Sequence, residues 1–243
     1  MAARPFAVFD IDGTIIRWQL YHALGDELAR MGHLDPIQFQ KVREARMNWK
    51  QRQHQASFQD YERTLVNLVD AAIATIRVED LQTACRTVLA EYKDQVYTYT
   101  RDLIRDLKTK NYLLFAISAS QAEIVQMLAE YYGFDDYGGS IYGVKDGYFS
   151  GQKTILKAER KPEYLKELVS KHDADWQGSI GVGDSESDIA MLSAVETPLA
   201  FNPTRELFDH AKANNWKIIV ERKNMIYELE PSNGSYLLAQ AGG

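Results

Sequence analysis

The chain has 243 residues, 45% of them hydrophobic and 26% charged, the composition of an ordinary globular protein with a sizeable core in one or two units. A formal net charge of −6 argues against a general nucleic-acid or membrane-surface binder, because either would need a basic footprint. Cys85 is the single cysteine, which excludes a disulfide within the chain, and no apolar stretch has signal or bilayer length, so a reducing cytoplasm is the expected setting.

In chain order, the apolar run Phe6 to Phe9 reads as a strand buried on both faces, and it delivers Asp10 and Asp12 into a turn at Gly13. Two carboxylates so close stay ionised together only beside a cation, for which Mg²⁺ is the usual hard, oxygen-liking choice. One carboxylate can then attack phosphorus while the other moves protons. From residue 18 to 98 the apolar spacing is helical: Leu20, Leu24 and Leu28, then Phe39 and Val42, then Tyr61, Leu65 and Leu68, then Leu81, Cys85 and Val88. Within this stretch Lys41, Arg43, Arg46 and Lys50 make one helix locally basic.

Strand-like runs resume at Tyr112 to Ser118, and Ser118 with Ala119 opens toward a helix over Ala122 to Tyr132, where a hydroxyl and free amides suit a phosphate oxygen. Ser120 reads as the cap of that helix. Ile141 to Gly151, with Asp146-Gly147, has the pattern of a hairpin. Lys161 precedes Pro162 and a helix to Lys171, and it is the chosen cation for a transferring phosphoryl group, with Lys157 and Lys153 as rivals. After an apolar strand ending at Gly183, Asp184 and Asp188 stand four residues apart and can face one centre. Strands at Pro198 to Phe201 and Lys217 to Val220 follow, and the five histidines show no metal-ligand spacing. The alternation predicts an α/β, doubly wound (Rossmann-like) parallel sheet over residues 1–16 and 99–230, a helical insertion over 17–98 and a mobile tail over 231–243.

Taken in order, Asp10-Ile-Asp-Gly-Thr, Ser118, Lys161 and Gly183-Asp-Ser-Glu-Ser-Asp resemble the four motifs of the haloacid dehalogenase-like phosphatase superfamily, over residues 6 to 203. The resemblance implies that Asp10 is the nucleophile and Asp12 the acid and base. It implies Mg²⁺ held by Asp10, the backbone carbonyl of Asp12 and Asp184, with Asp188 close by, and a phosphoryl group held by Ser118, Ala119 and Lys161. The all-helical insertion resembles the cap domain of the phosphoserine-phosphatase-like branch, where a glutamate meets the substrate ammonium; this chain has Gln19 at that place. Trp18, Gln19 and Arg46 are the candidate substrate-binding residues of the cap.

The expected function is a Mg²⁺-dependent phosphomonoester hydrolase acting on a small phosphorylated metabolite through an aspartyl-phosphate. A phosphotransferase would use the same residues. A receiver-like phosphoacceptor and a non-catalytic phosphate binder are the alternatives; Asp12 and the helical insertion weigh against the first, and candidates at all four motifs weigh against the second. Neither the substrate nor the choice of monomer or dimer is set by the sequence.

Overall fold

The structure is a computed structural model that describes residues 3–232 and 235–242. Strand β1 (Arg4–Phe9) runs through the middle of the molecule, and Phe6 to Phe9 have no exposed surface. A strand covered on both faces needs apolar side chains at every position. Strand alternation divides them: Ala7 and Phe9 enter one core cluster, Phe6 and Val8 the other. β2 (Leu113–Gln121) repeats the division, with Leu114 and Ala116 on the first face and Leu113, Phe115 and Ile117 on the second.

The remaining strands are β3 (Asp136–Lys145), β4 (Tyr148–Thr154), β5 (Ala174–Gly183), β6 (Thr197–Phe201), β7 (Lys217–Arg222), β8 (Met225–Ser232) and β9 (Ser235–Gly242). They form one sheet in the order β4-β3-β2-β1-β5-β6-β7-β8-β9. The run from β3 through β2, β1, β5 and β6 to β7 is parallel, while β4, β8 and β9 add antiparallel edges. After β1 the chain builds outward through β2 and β3, then crosses to the other side of β1 with β5. This makes the β1/β5 boundary a topological switch point, where the carboxyl ends of parallel strands leave a crevice.

Helices α1 (Leu20–Arg30), α2 (Pro36–Lys50), α3 (Ser57–Ala72) and α4 (Val78–Tyr92) are inserted between β1 and α5 (Thr98–Thr109). The chain leaves and returns through a paired neck, in which Arg17 N–H donates to the Gln95 carbonyl at 2.9 Å and Tyr97 N–H donates to the Ile15 carbonyl at 3.0 Å. The expected helical stripes close on one another: Leu20 and Leu24, Tyr61 and Leu65, and Leu81, Cys85 and Val88 share the first-face cluster. That face is also packed by α5 and α6 (Ala122–Tyr132), whereas α7 (Lys161–Lys171), α8 (Ile189–Leu192) and α9 (Arg205–Ala213) cover the second.

The expected hairpin is β3–β4, turning at Asp146 and Gly147 with φ of +52° and +80°, the left-handed pair that a two-residue type I′ turn requires. Its tip touches the insertion, where Val78 N–H donates to the Gly147 carbonyl at 3.0 Å.

The C-terminal expectation needs correction. Within the stretch read as a mobile tail, residues 235–242 form β9 on β8, and Tyr236 is anchored by donating its hydroxyl to the Trp216 carbonyl at 2.7 Å. Of the Ser-Asn-Gly-Ser stretch that suggested disorder, Ser232 and Ser235 pair as the facing ends of β8 and β9, and Asn233 and Gly234, like Gly243, lie outside the described residues. No helix among the described residues is long and apolar enough to cross a membrane.

Candidate active site

Three neighbouring strands end at one place. β1 supplies Asp10, β2 supplies Ser118 and β5 leads into Asp184, while Lys161 arrives at the first position of α7. The Asp10 N–H donates to the Val182 carbonyl at 2.9 Å, which ties the first aspartate to β5 just past the last strand residue.

Lys161 is 2% exposed, and its Nζ donates to Asp10 Oδ1 at 2.8 Å and to Asp188 Oδ1 at 2.6 Å. Its rivals are elsewhere: Lys153 pairs with Asp70 on the hairpin, and Lys157 is exposed. Asp188 is buried, and its second oxygen accepts from the Asp184 and Ser185 amides at 3.2 and 3.1 Å. An acidic residue at the start of a short helix thus closes a capping box with Ser185 while reaching the lysine. Asp10, Asp184 and Asp188 each offer a carboxylate oxygen, all within 4.8 Å of one another.

Two glycines permit this crowding. Gly13 has φ +85°, and a Cβ there would fall 2.2 Å from Asp184 Oδ2; one on Gly183 would fall 2.6 Å from the Asp188 Cβ. Burial and the Asp188 charge push Asp10 up to about 8 against the opposing pull of Lys161. Burial, with Asp10 and Asp188, pushes Asp184 up to about 9. Burial works against the Lys161 ammonium, but its two carboxylate partners outweigh it and hold the lysine charged.

Asp12 lies in a different environment. Its Oδ1 accepts the Leu20 N–H at 2.5 Å, at the start of α1, and its Oδ2 accepts the hydroxyls of Ser118 at 2.7 Å and Ser120 at 2.8 Å. Burial raises its pKa even though all three donors favour the anion. Among the described residues no backbone N–H donates to the Asp12 carbonyl, and the Asp12 side chain is not in the acidic cluster.

Ser120 was read as a helix cap, but its hydroxyl is on Asp12 and the α6 cap position is Gln121, which makes no side-chain cap hydrogen bond. The spacing that brings Ser120 beside Ser118 is that of alternate residues on a strand, a signal present in Ser118-Ala-Ser120.

The expected cap residues divide differently. Ala119 is exposed at the β2 end, and its carbonyl accepts from Ser140 Oγ at 2.6 Å. Gln19 occupies the cap position of α1 without capping it, a job the Asp12 carboxylate takes through Leu20. Trp18 belongs to an aromatic cluster, with ring centroids 6.2 Å from His22 and 6.0 Å from Trp49. Arg46, expected among the substrate-binding residues of the cap, donates to Asp26 at 2.5 Å and to the Tyr61 hydroxyl at 2.9 Å, so it pairs with neighbouring helices. Residues that the sequence did not single out are Glu62 and Gln121, whereas Tyr21 is expected beside Trp18 at the entry to the cap. Glu62 lies near enough to Asp12 and Glu186 to feel both charges.

The chain is 30% identical over 126 residues to the "Inhibition of morphological differentiation protein" of Streptomyces azureus, covering 51% of this chain and 46% of that protein. It is 23% identical over 229 residues to a histidinol-phosphatase of Neisseria meningitidis, covering 89% of this chain and 98% of that one. A solved structure described as a phospho-aspartyl intermediate analogue of phosphoserine phosphatase superposes with a TM-score of 0.62 at 18% identity, over 91% of this chain and 95% of that one, a likeness of fold. The chain spans less than half the length of the first curated relatives it matches. The model of the family described as haloacid dehalogenase-like hydrolase matches residues 7–193, the stretch that carries Asp10, Asp12, Ser118, Lys161, Asp184 and Asp188, and the chain belongs to that family.

Proposed function

We propose that the chain is a Mg²⁺-dependent phosphomonoester hydrolase that acts on a small phosphorylated metabolite through an aspartyl-phosphate on Asp10. The observation that carries the reading is the contrast between two aspartates at one strand end: Asp10 paired with a buried lysine, Asp12 held apart by two hydroxyls and a helix amide. Relatives described as histidinol-phosphatase and phosphoserine phosphatase support the substrate class.

The residues present fit Mg²⁺. Three buried or half-buried carboxylates face one another with one lysine between them, an excess of hard negative oxygen that favours a small divalent cation. Asp10, Asp184 and the Asp12 carbonyl would hold it, while Asp188 anchors Lys161 and the Asp184 loop. When bound, the ion supplies Lewis-acid stabilisation of charge on the phosphoryl oxygens.

In the reaction proposed, an Asp10 carboxylate oxygen attacks phosphorus and the bond from phosphorus to the leaving oxygen breaks. Asp12, whose burial favours the protonated form, gives its proton to that oxygen. Asp12 then takes a proton from water as the water attacks the aspartyl-phosphate, releasing phosphate and restoring Asp10. Lys161 and the Ser118 hydroxyl neutralise and orient the phosphoryl group during both transfers. Helices α1 to α4 act as the cap that excludes bulk water.

Release of inorganic phosphate from p-nitrophenyl phosphate with and without Mg²⁺ tests the reading. Asp10→Asn should lower turnover by at least about a thousandfold with the fold intact. Retained turnover in that variant overturns the assignment, and a new phosphoester in place of phosphate would mark a transferase.

A further inference from the structure

Two of the residues that donate to Asp12 are followed in the chain by residues carrying buried polar groups without partners. Asp12 Oδ1 is held by Leu20, and the next residue, Tyr21, has a buried hydroxyl that makes no hydrogen bond. Its Oδ2 is held by Ser120, and the next residue, Gln121, is 1% exposed with neither amide atom satisfied. The Tyr142 hydroxyl of β3 lies beside both groups, at the outer edge of hydrogen-bonding range. Asp70 of α3 completes the set: one oxygen pairs with Lys153, while the other is buried and unpartnered.

Leaving such groups unpaired costs about 1–3 kcal/mol each, so three of them in one place on three different elements is unusual for a finished core. It is the expected state of a recognition site whose partner is not in place.

We infer that Tyr21, Gln121 and Tyr142, with the free oxygen of Asp70, form the subsite for the leaving group, and that it takes an alcohol bearing O–H or N–H donors and no second anionic group. The inference rests on the phosphohydrolase reading, because it is Asp12, as the acid that protonates the leaving oxygen, that fixes where the leaving group must lie. The chemistry follows from the lining. Asp70 offers an acceptor, Gln121 an acceptor and a donor, and the two phenols either, so donors on the substrate are satisfied in every arrangement. Glu62 adds a further negative charge near enough to both Asp12 and Tyr21 to be felt there. The basic side chain that would have welcomed an anion, Arg46, is already bound to Asp26. Burial holds the Tyr21 phenol protonated, which keeps it available as a donor.

The test compares kcat/KM on phosphoethanolamine, glycerol phosphate and histidinol phosphate, which bear donors, with 2-phosphoglycolate, which bears a second anion, and p-nitrophenyl phosphate as reference. At least one donor-bearing substrate should exceed 2-phosphoglycolate tenfold or more. In Gln121→Leu and in Tyr21→Phe, the ratio of that substrate to p-nitrophenyl phosphate should fall about tenfold, the loss expected of one buried hydrogen bond to substrate. Tyr21→Phe removes only an unpartnered oxygen, so it should fold with a Tm no lower than wild type, which keeps the result readable if Gln121→Leu fails to fold. An unchanged ratio in both variants, or a preference for 2-phosphoglycolate, overturns the subsite while leaving the phosphatase reading standing. Absence of any p-nitrophenyl phosphate hydrolysis by the wild type with Mg²⁺ overturns both.

Discussion

Lys161→Met examines the electrostatics of the site most directly. The ammonium is 2% exposed and lies 2.8 Å from one carboxylate and 2.6 Å from another. At an effective dielectric of about 20, each contact is worth about 6 kcal/mol of attraction, and the desolvation of the buried ammonium removes several kcal/mol of that total. Methionine keeps most of the volume, so the loss is electrostatic: Asp10 and Asp188 are left buried without a counter-charge, next to Asp184. Breaking a buried pair in this way costs about 3–5 kcal/mol, which in a protein of this size lowers Tm by roughly 10 °C. Urea denaturation in the presence of a chelator measures the loss. Adding Mg²⁺ should recover part of it, because a cation held by Asp10 and Asp184 replaces the missing positive charge. Turnover should fall by about a hundredfold or more even with Mg²⁺, since a stabiliser of the transferring group is gone. A chelator-treated variant less than about 1 kcal/mol weaker than wild type would refute the reasoning, because the lysine would then not be the counter-ion of these carboxylates.

Gly13→Ala should cost about 1–2 kcal/mol through its left-handed φ, and the new Cβ would displace Asp184, so half-saturation should move to a higher Mg²⁺ concentration; an unmoved Mg²⁺ titration would refute this. His22 is 1% exposed, and burial followed by the Arg46 charge lowers its pKa from 6.5 to about 4. The unfolded chain therefore binds the proton more readily, and the neutral ring's contribution is complete above about pH 6.5 and lost as pH falls toward 4, about 3 kcal/mol in all. His22→Phe should flatten the denaturation free energy over that window; an unaltered pH dependence would show that His22 does not titrate there.

The parts of the fold that were legible are those with a strong local signal. Four consecutive apolar residues at 6–9 and five at 113–117 can only be double-sided strands in a chain of this kind, and the helical stripes of α1, α3 and α4 repeat over several turns. α5 was not marked, since charged residues dominate it and only Ile104 and Leu107 are buried beside Thr100. β9 was missed for the opposite reason: it is an edge strand with most side chains exposed, held by backbone pairing to β8, and pairing leaves no periodicity to read. At the site, Asp10, Asp12, Ser118, Lys161 and Asp184 each stand at a strand end or helix start, where type and position can be read together. Ser120 and Gln121 stand there too, but what distinguishes them is which neighbour they meet, or fail to meet, in three dimensions. Arg46 shows the same limit, for nothing in the pattern of a basic helix tells whether Asp26 of another helix waits opposite.

The division of labour between Asp10 and Asp12 depends on where β1 stops. In a continued strand, residues two apart project from the same face, and both carboxylates would compete for one lysine and one proton. β1 ends at Phe9, and the turn through Gly13 brings the Ile16 carbonyl back to the Gly13 N–H at 3.0 Å. That reversal leaves Asp10 on the β5 side with Lys161, Asp184 and Asp188, and turns Asp12 toward the serines of β2 and the first amide of α1. Burial raises both groups, but Asp10 answers beyond that to carboxylate and ammonium charges and Asp12 to a helix amide and neutral hydroxyls, so the two can differ in protonation although one residue separates them. The same reversal brings the Asp12 carboxylate to the start of α1, so the first helix of the insertion is fixed by a hydrogen bond to the carboxylate proposed to transfer the proton. In the proposed reaction, a movement of α1 would reach Asp12 and Tyr21 together, and would couple closure over the leaving group to the acid that protonates it.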